Sequence, residues 1–185
     1  MAYRPPFVDP DSQMTDAPHP ATLDRDAFMK QCEFRDGRVS GPGGQHRNRK
    51  ATGTWMLHLP TGIDAKATER RERTINRSMA MNRLRLKLAT RVRTATNPDR
   101  HKPSELWKSR RQGTRMTVSP THYDYPALLA EAMNLITARR WDIAGAAKVL
   151  GISMSQVSRL VRQHPPAFTR LNAGRESVGL PPLRK

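Results

Sequence analysis

Between residues 70 and 93 the chain carries neither glycine nor proline, and Met81, Leu84, Leu88 and Val92 recur along one stripe at helical spacing. That pattern predicts a long helix over about 70–93. Ile75, Met79 and Leu86 fall nearly opposite, which leaves open a helix covered on two sides. Upstream, "TLDRDAFMKQC" from Thr22 offers a polar starter, early acids and apolar Leu23, Ala27 and Phe28, a short-helix signal. "CEFRDGRV" reads as extended and runs into a glycine-rich stretch, while "TGTWMLHL" and "GIDAKATE" flank "PTG" as the two arms of a hairpin. A further helical segment covers about 124–164. It is expected to stop at "HPPAF", because a residue that precedes proline disfavours helix.

The remaining stretches have no such period. Residues 1–21 are rich in proline and predict a disordered arm. Residues 96–120, with "WKSRRQGTR", read as a basic linker, and the tail "VGLPPLRK" as irregular. The expected chain is therefore α+β. A small β-sheet with a packed long helix fills residues 22–95, and an all-α module fills 121–185.

Charge changes this picture most. The chain holds 33 Lys and Arg against 16 Asp and Glu, net +17, unevenly spread: net −3 over residues 1–34, +14 over 35–111 and +6 over 112–185. A block of +14 repels itself unless a polyanion lies against it, so nucleic acid is the first partner to consider. No apolar run approaches the roughly 18 residues of a spanning helix, and the start lacks the order of a secretory signal. A cytoplasmic monomer that keeps off the membrane is the expectation. Cys32 is the only cysteine, read as a small half-buried side chain, and the six histidines lack ligand spacing, so no metal and no cofactor are expected.

The densest chemistry is "SGPGGQHRNRK", residues 40–50. Glycine lets a backbone approach another molecule closely, and Pro42 limits the entropy lost. Gln45 cannot act as a strong acid, base or nucleophile. Its amide can hydrogen-bond, and its backbone N–H can donate to a developing oxyanion. Placing a water and stabilising an oxyanion suits the splitting of an ester, provided another body completes the site. A plain Gly-Pro turn between strands is the alternative on composition alone.

The wider stretch resembles the GGQ domain of class I peptide chain release factors. The likeness is carried by "SGPGGQH", then Asn48, then "HLPTGI" beginning twelve residues after His46, then Arg71 and Asn76 at the helix entrance. It covers residues 23–95. The resemblance implies that Gly43, Gly44 and Gln45 enter the peptidyl-transferase centre of the large ribosomal subunit, where the ester joining peptide to tRNA is hydrolysed. It implies that the Gln45 N–H stabilises the reaction, that its side chain helps select water, and that its side-chain nitrogen is a candidate for a glutamine methyltransferase. His46, Arg47, Asn48, Arg49, Lys50, Arg70, Arg71, Arg73 and Arg77 would then meet rRNA or tRNA. Arg83 and Lys87 extend the same basic face. Where the family usually has valine this chain has Arg47, and its helix opens Arg71-Glu72-Arg73 where the family usually has Arg-Ser-Gln.

Codon-reading members carry a much larger body, so the chain is more similar to the small, codon-independent GGQ proteins that rescue stalled ribosomes. It departs from them in its C-terminal half. "AAKVLGIS" within "WDIAGAAKVLGISMSQVSRLVRQHP" resembles the helix-turn-helix of Fis-type DNA-binding domains. Gly151 would make the turn and Ser153 or Ser155 would cap the second helix. Val149, Leu150, Ile152, Val157 and Leu160 would form its core. Gln156, Arg159 and Arg162 would face nucleic acid or the ribosome. Two functions of different class stand at this point: a ribosome-dependent peptidyl-tRNA hydrolase, or a nucleic-acid-binding regulator with a non-catalytic GGQ loop. Trp55 is expected in the core; Trp107 is left open.

Overall fold

The structure is a computed structural model that describes residues 7, 9–37 and 53–184. The chain divides into two compact units, residues 23–88 and residues 1–22 with 89–185.

The first unit opens with α1 (Arg25–Lys30), whose start is set by Asp24: its carboxylate accepts from Ala27 N–H at 2.8 Å. Asp at this position satisfies an amide that the helix itself cannot. Three antiparallel strands follow, β2 (Cys32–Gly37), β3 (Gly53–His58) and β4 (Ile63–Ala67), ordered β2-β3-β4. They are preceded in chain order by β1 (Gln13–Thr15), which belongs to the other unit. Register pairs Phe34 with Met56 and Met56 with Ala65, so these residues share one face of the sheet. Met56, Ala65 and Ala67 on it are buried. Helix α2 (Arg73–Arg91) spans the predicted stripe, and Met81, Leu84 and Leu88 are buried while Ile75 is exposed. One side of the helix is covered, as the stripe indicates. Residues 89–91, its last turn, cluster with the second unit.

Trp55 departs from expectation. It is half-buried on the opposite face of β3, between Arg35 and Lys66 of its neighbours. Strand alternation decides this: Thr54, Met56 and His58 take the inward positions.

The second unit is built on α4 (Tyr125–Ala138), α5 (Ile143–Leu150), α6 (Met154–Arg162) and α7 (Pro165–Ser177). Leu128, Leu129, Met133, Leu135, Ile136, Leu150, Val157, Leu160 and Leu171 are buried. Val149 is only half-buried. The Pro-Pro pair does not end the helical region; it opens α7, because proline at the first helical positions gives up no hydrogen bond. The tail folds back, with Leu183 exchanging hydrogen bonds with the Asn172 amide at 2.9 and 3.2 Å.

The described parts of two stretches read as unstructured are ordered. Within residues 1–21, β1 pairs in parallel with β5 (Val92–Thr94), and buried His19 bonds to the Val92 carbonyl at 3.1 Å. Buried Asp9 pairs with Arg170. Within residues 96–120, α3 (Glu105–Arg110) is capped by Ser104, and its Trp107 is fully buried, donating to the Leu150 carbonyl at 2.9 Å. Strands β6 (Arg111–Gln112) and β7 (Arg115–Met116) then form a hairpin around Gly113, whose φ of +56° suits glycine. Single anchors separated by charged residues leave no period to read, which is why both stretches look irregular in sequence.

Candidate functional site

Residues 38–52, and with them Gly43, Gly44, Gln45, His46, Arg47, Asn48, Arg49 and Lys50, lie outside the described residues. What is described is the root that carries them. β2 and β3 remain paired to their last residues, with Gly37 opposite Gly53. A loop sprung from two strands in register has its ends held at strand spacing. Asp36 ties this root together: it accepts from the Thr54 hydroxyl at 2.8 Å and faces the Arg73 guanidinium at 3.5 Å. Trp55 covers Gly37 so closely that a Cβ there would stand 2.8 Å from the indole.

The start of α2 lies at the same end of the sheet. Arg73 meets Asp36, and Arg77 stacks over the Phe34 ring at 4.7 Å from its centroid. Asn76 is buried and closes the turn before the helix, accepting from Arg70 N–H at 3.0 Å and donating to Arg70 O at 2.8 Å. Asn76 is thus a structural lock that fixes the backbone of Arg70 against the start of the helix. Arg70, Arg71, Arg73 and Arg77 are all exposed around this first turn, with Glu72 among them and Asp36 facing Arg73, and no acidic residue lies within the turn itself. Cations at a helix N-terminus oppose the helix dipole, which costs a few tenths of a kcal/mol or more each. This arrangement does not serve the stability of the helix. It leaves a concentrated positive field beside the root of the loop, a setting that favours phosphates.

Further along α2 the basic residues are engaged with the sheet. Arg83 bonds to Glu69 at 2.7 Å and to the Lys66 carbonyl at 2.8 Å, and Lys87 bonds to the Asp64 carbonyl at 2.6 Å. The hydrogen bond from Arg83 holds the Glu69 carboxyl below its ordinary value.

"HLPTGI" lies at the opposite end of the strands. His58 pairs in register with Cys32, bonds through its ring nitrogens to Thr61 Oγ1 at 2.8 Å and Gln31 Oε1 at 3.0 Å, and stacks on Phe28. Burial pushes its pKa down, so it is neutral near neutral pH. Gly62 makes the turn at φ +67°. This motif therefore builds the hairpin at the end of the sheet opposite Gly37 and Gly53. Cys32 is half-buried, and burial raises its thiol to about 11, which leaves it protonated and unreactive.

In the second unit α5, the turn and α6 have helix-turn-helix form. Gly151 ends α5 in the left-handed region at φ +68°, and Ser153 caps α6, accepting from Gln156 N–H at 3.3 Å. Of the three predicted docking residues, Arg159 is exposed. Arg162, also exposed, donates to the Arg184 carbonyl at 3.1 Å and leans over Phe168. Gln156 is half-buried, and its side-chain oxygen accepts from Met116 N–H at 3.4 Å. Sequence reasoning missed Arg110, Arg115 and His122, which the structure brings to the same groove as Arg159. The basic cluster "SRRQGTR" was the available signal.

Comparison with known proteins gives a consistent result. The family model of the RF-1 domain matches residues 26–122. Peptide chain release factor 1 of Chlamydia felis is 32% identical over 99 residues, 52% of this chain and 26% of that protein. Peptide chain release factor 1 of Acidiphilium cryptum is 37% identical over 86 residues, 45% of this chain and 24% of that protein. A mitochondrial peptide chain release factor 1-like protein of Rattus norvegicus is 37% identical over 71 residues, 38% and 19% of the two chains. The chain thus spans about a quarter of the length of these relatives or less.

Proposed function

This chain belongs to the RF-1 domain family, and from that premise we propose that it hydrolyses the ester of peptidyl-tRNA on the ribosome, without reading a codon, to free peptides from stalled complexes. The observation that carries the reading is "SGPGGQH" at residues 40–46, borne between strands that stay paired up to Gly37 and Gly53. In this proposal Gly43 and Gly44 let the backbone reach the ester, and the Gln45 N–H donates to the oxyanion as water adds to the carbonyl. The Gln45 amide positions that water. Collapse of the intermediate returns a proton to the ribose oxygen and leaves a free peptide and a free tRNA end. No side chain of the loop need act as general base, because ribosome and tRNA supply the remaining groups.

Arg70, Arg71, Arg73 and Arg77, with His46, Arg47, Asn48, Arg49 and Lys50, would neutralise RNA phosphates along the path of the loop. The side-chain nitrogen of Gln45 is the proposed methylation site. The regulator alternative draws less support from the geometry: Gln156 and Arg162 already have partners within the fold, which leaves little base-reading chemistry on α6.

The test is peptide release from purified stalled ribosomes that hold labelled peptidyl-tRNA. The parent chain should release peptide with and without mRNA in the decoding site. Gly44→Ala should lower the rate on the order of 10²–10³-fold with ribosome binding nearly unchanged. Equal rates for parent and variant would end the catalytic assignment.

A further inference from the structure

In the unit of residues 1–22 and 89–185, the β6–β7 hairpin is fastened to the helix-turn-helix. Ser153 N–H donates to the Thr114 carbonyl at 3.1 Å, Arg111 donates to the Gly151 carbonyl at 3.3 Å, and Met116 N–H donates to Gln156. These contacts fall on the turn and on the first residues of α6, the part of such a helix that meets base edges when it enters a major groove. Between α6 and the segment that follows the hairpin runs an open groove of ≈ 660 Å³. Arg159 stands on one wall and Arg115 on the other, both exposed. Among the described residues neither has an ion-pair partner. Arg110, at one side, is held by Asp124 at 2.6 Å with His122 beside it, and among the described residues no carboxylate lines the groove.

Three features define the occupant. Eight of the eleven lining residues are cationic or polar, with Met116, Val118 and Leu160 as the apolar members, so charged and hydrogen-bonding groups are more numerous than in the aromatic, apolar pockets typical of small-molecule sites. Guanidinium groups match phosphate oxygens in a two-pronged geometry. Among the described residues no Phe, Tyr or Trp lines the groove, so the stacking platforms that grip single strands are missing.

We propose that this groove binds the sugar-phosphate backbone of an RNA duplex, with Arg115 and Arg159 each taking a phosphate. Thr117 and Gln163, also on its walls, supply groups that can donate to and accept from a ribose 2′-hydroxyl. The groove recognises shape and charge, not base sequence. The choice of RNA over DNA rests in part on the peptide-release reading; the phosphate chemistry does not.

The experiment uses the full chain and an RNA stem-loop, a DNA hairpin of the same sequence and an unpaired RNA, with affinity measured across a salt series. Charge reversal at both positions, Arg115→Glu with Arg159→Glu, should weaken stem-loop binding on the order of tenfold and lower the salt slope by somewhat under one unit per lost contact. The milder pair Arg115→Gln with Arg159→Gln should shift both in the same direction, and its circular dichroism should match the parent, which covers the case of a misfolded reversal. A photoreactive side chain placed at Thr117 should cross-link to the stem RNA. Parental affinity and slope in the folded Gln pair would overturn the site. Tighter binding to the DNA hairpin would overturn the choice of RNA. A cross-link to protein instead of RNA on intact ribosomes would overturn both. Gly44→Ala should keep full stem-loop binding while losing release; a parent that binds the stem but releases no peptide would sink the functional reading and leave the groove standing.

Discussion

Gly37, where β2 meets the glycine-rich loop, has no room for a methyl group: its Cβ would stand 2.8 Å from Trp55. Gly37→Ala must therefore shift the indole or the strand end, and overpacking of this sort costs about 1–3 kcal/mol. A displacement of the root misplaces everything beyond it, so release should fall on the order of tenfold to a hundredfold. Measuring the release rate beside the melting temperature separates the two effects; an unchanged rate would mean that the loop is insensitive to its root. At the other end of the sheet, buried His58 and, in the second unit, half-buried His164 have pKa values pushed below the ordinary 6.5 by burial. Below pH 6.5 the unfolded chain binds protons that the folded chain resists, so stability falls as pH drops through that window towards the folded values. Thermal melts at pH 7.5 and pH 5.5 should show this loss. His58→Gln should flatten part of it, and an identical pH response in that variant would refute the assignment.

Among the helices, α2 and α7 make opposite demands on substitution. Arg70 and Arg71 crowd the positive end of the α2 dipole, so Arg70→Gln with Arg71→Gln should leave the melting temperature equal or slightly higher. Ribosome affinity should nevertheless drop, with a shallower salt dependence, because two phosphate contacts are lost. A variant that binds like the parent would show that these charges only solvate the surface. In α7, replacing a helical glycine with alanine would ordinarily stabilise by about 1 kcal/mol. Gly174 is different, since its Cβ would come within 2.1 Å of Cε2 of the fully buried Trp141. Gly174→Ala should destabilise the second unit by about 1–3 kcal/mol, the cost of overpacking a filled core. A higher melting temperature would contradict this packing.

On the scale of the whole molecule, the two ends of the chain share one unit, residues 1–22 with 89–185. Asp9 binds them: burial alone would raise its carboxyl, but hydrogen bonds from Ser12 and Arg170 outweigh that and hold it below the ordinary value. Asp9→Asn removes the buried one of the two carboxylates that face the Arg170 guanidinium and leaves it the exposed Asp11 at 3.4 Å. The expected loss is about 1–3 kcal/mol, because Asp11 still offsets part of the charge, read by denaturant melts; a change within error would show that the pair adds little.

Signals complete within a few residues were legible in the sequence. The Asp24 cap of α1, the Met81–Leu84–Leu88 stripe of α2, the Gly62 hairpin turn and the Gly151–Ser153 turn each need only neighbours along the chain. The GGQ stretch and the arginines around residue 70 were legible for the same reason, as was the shape of the helix-turn-helix. Order in residues 9–22 and in α3 was not, since it depends on partners far along the chain: His19 on Val92, Asp9 on Arg170, Trp107 on Leu150. Trp55 left its expected place in the core because strand register, not side-chain type, sets which face it takes, and Trp107, left open by the local pattern, is enclosed where it meets the end of α5. The same holds for the groove. Arg115 and Arg159 lie far apart in sequence, and their meeting across one cleft follows from the hydrogen bonds that fasten the hairpin to α6, a long-range choice that no local period encodes.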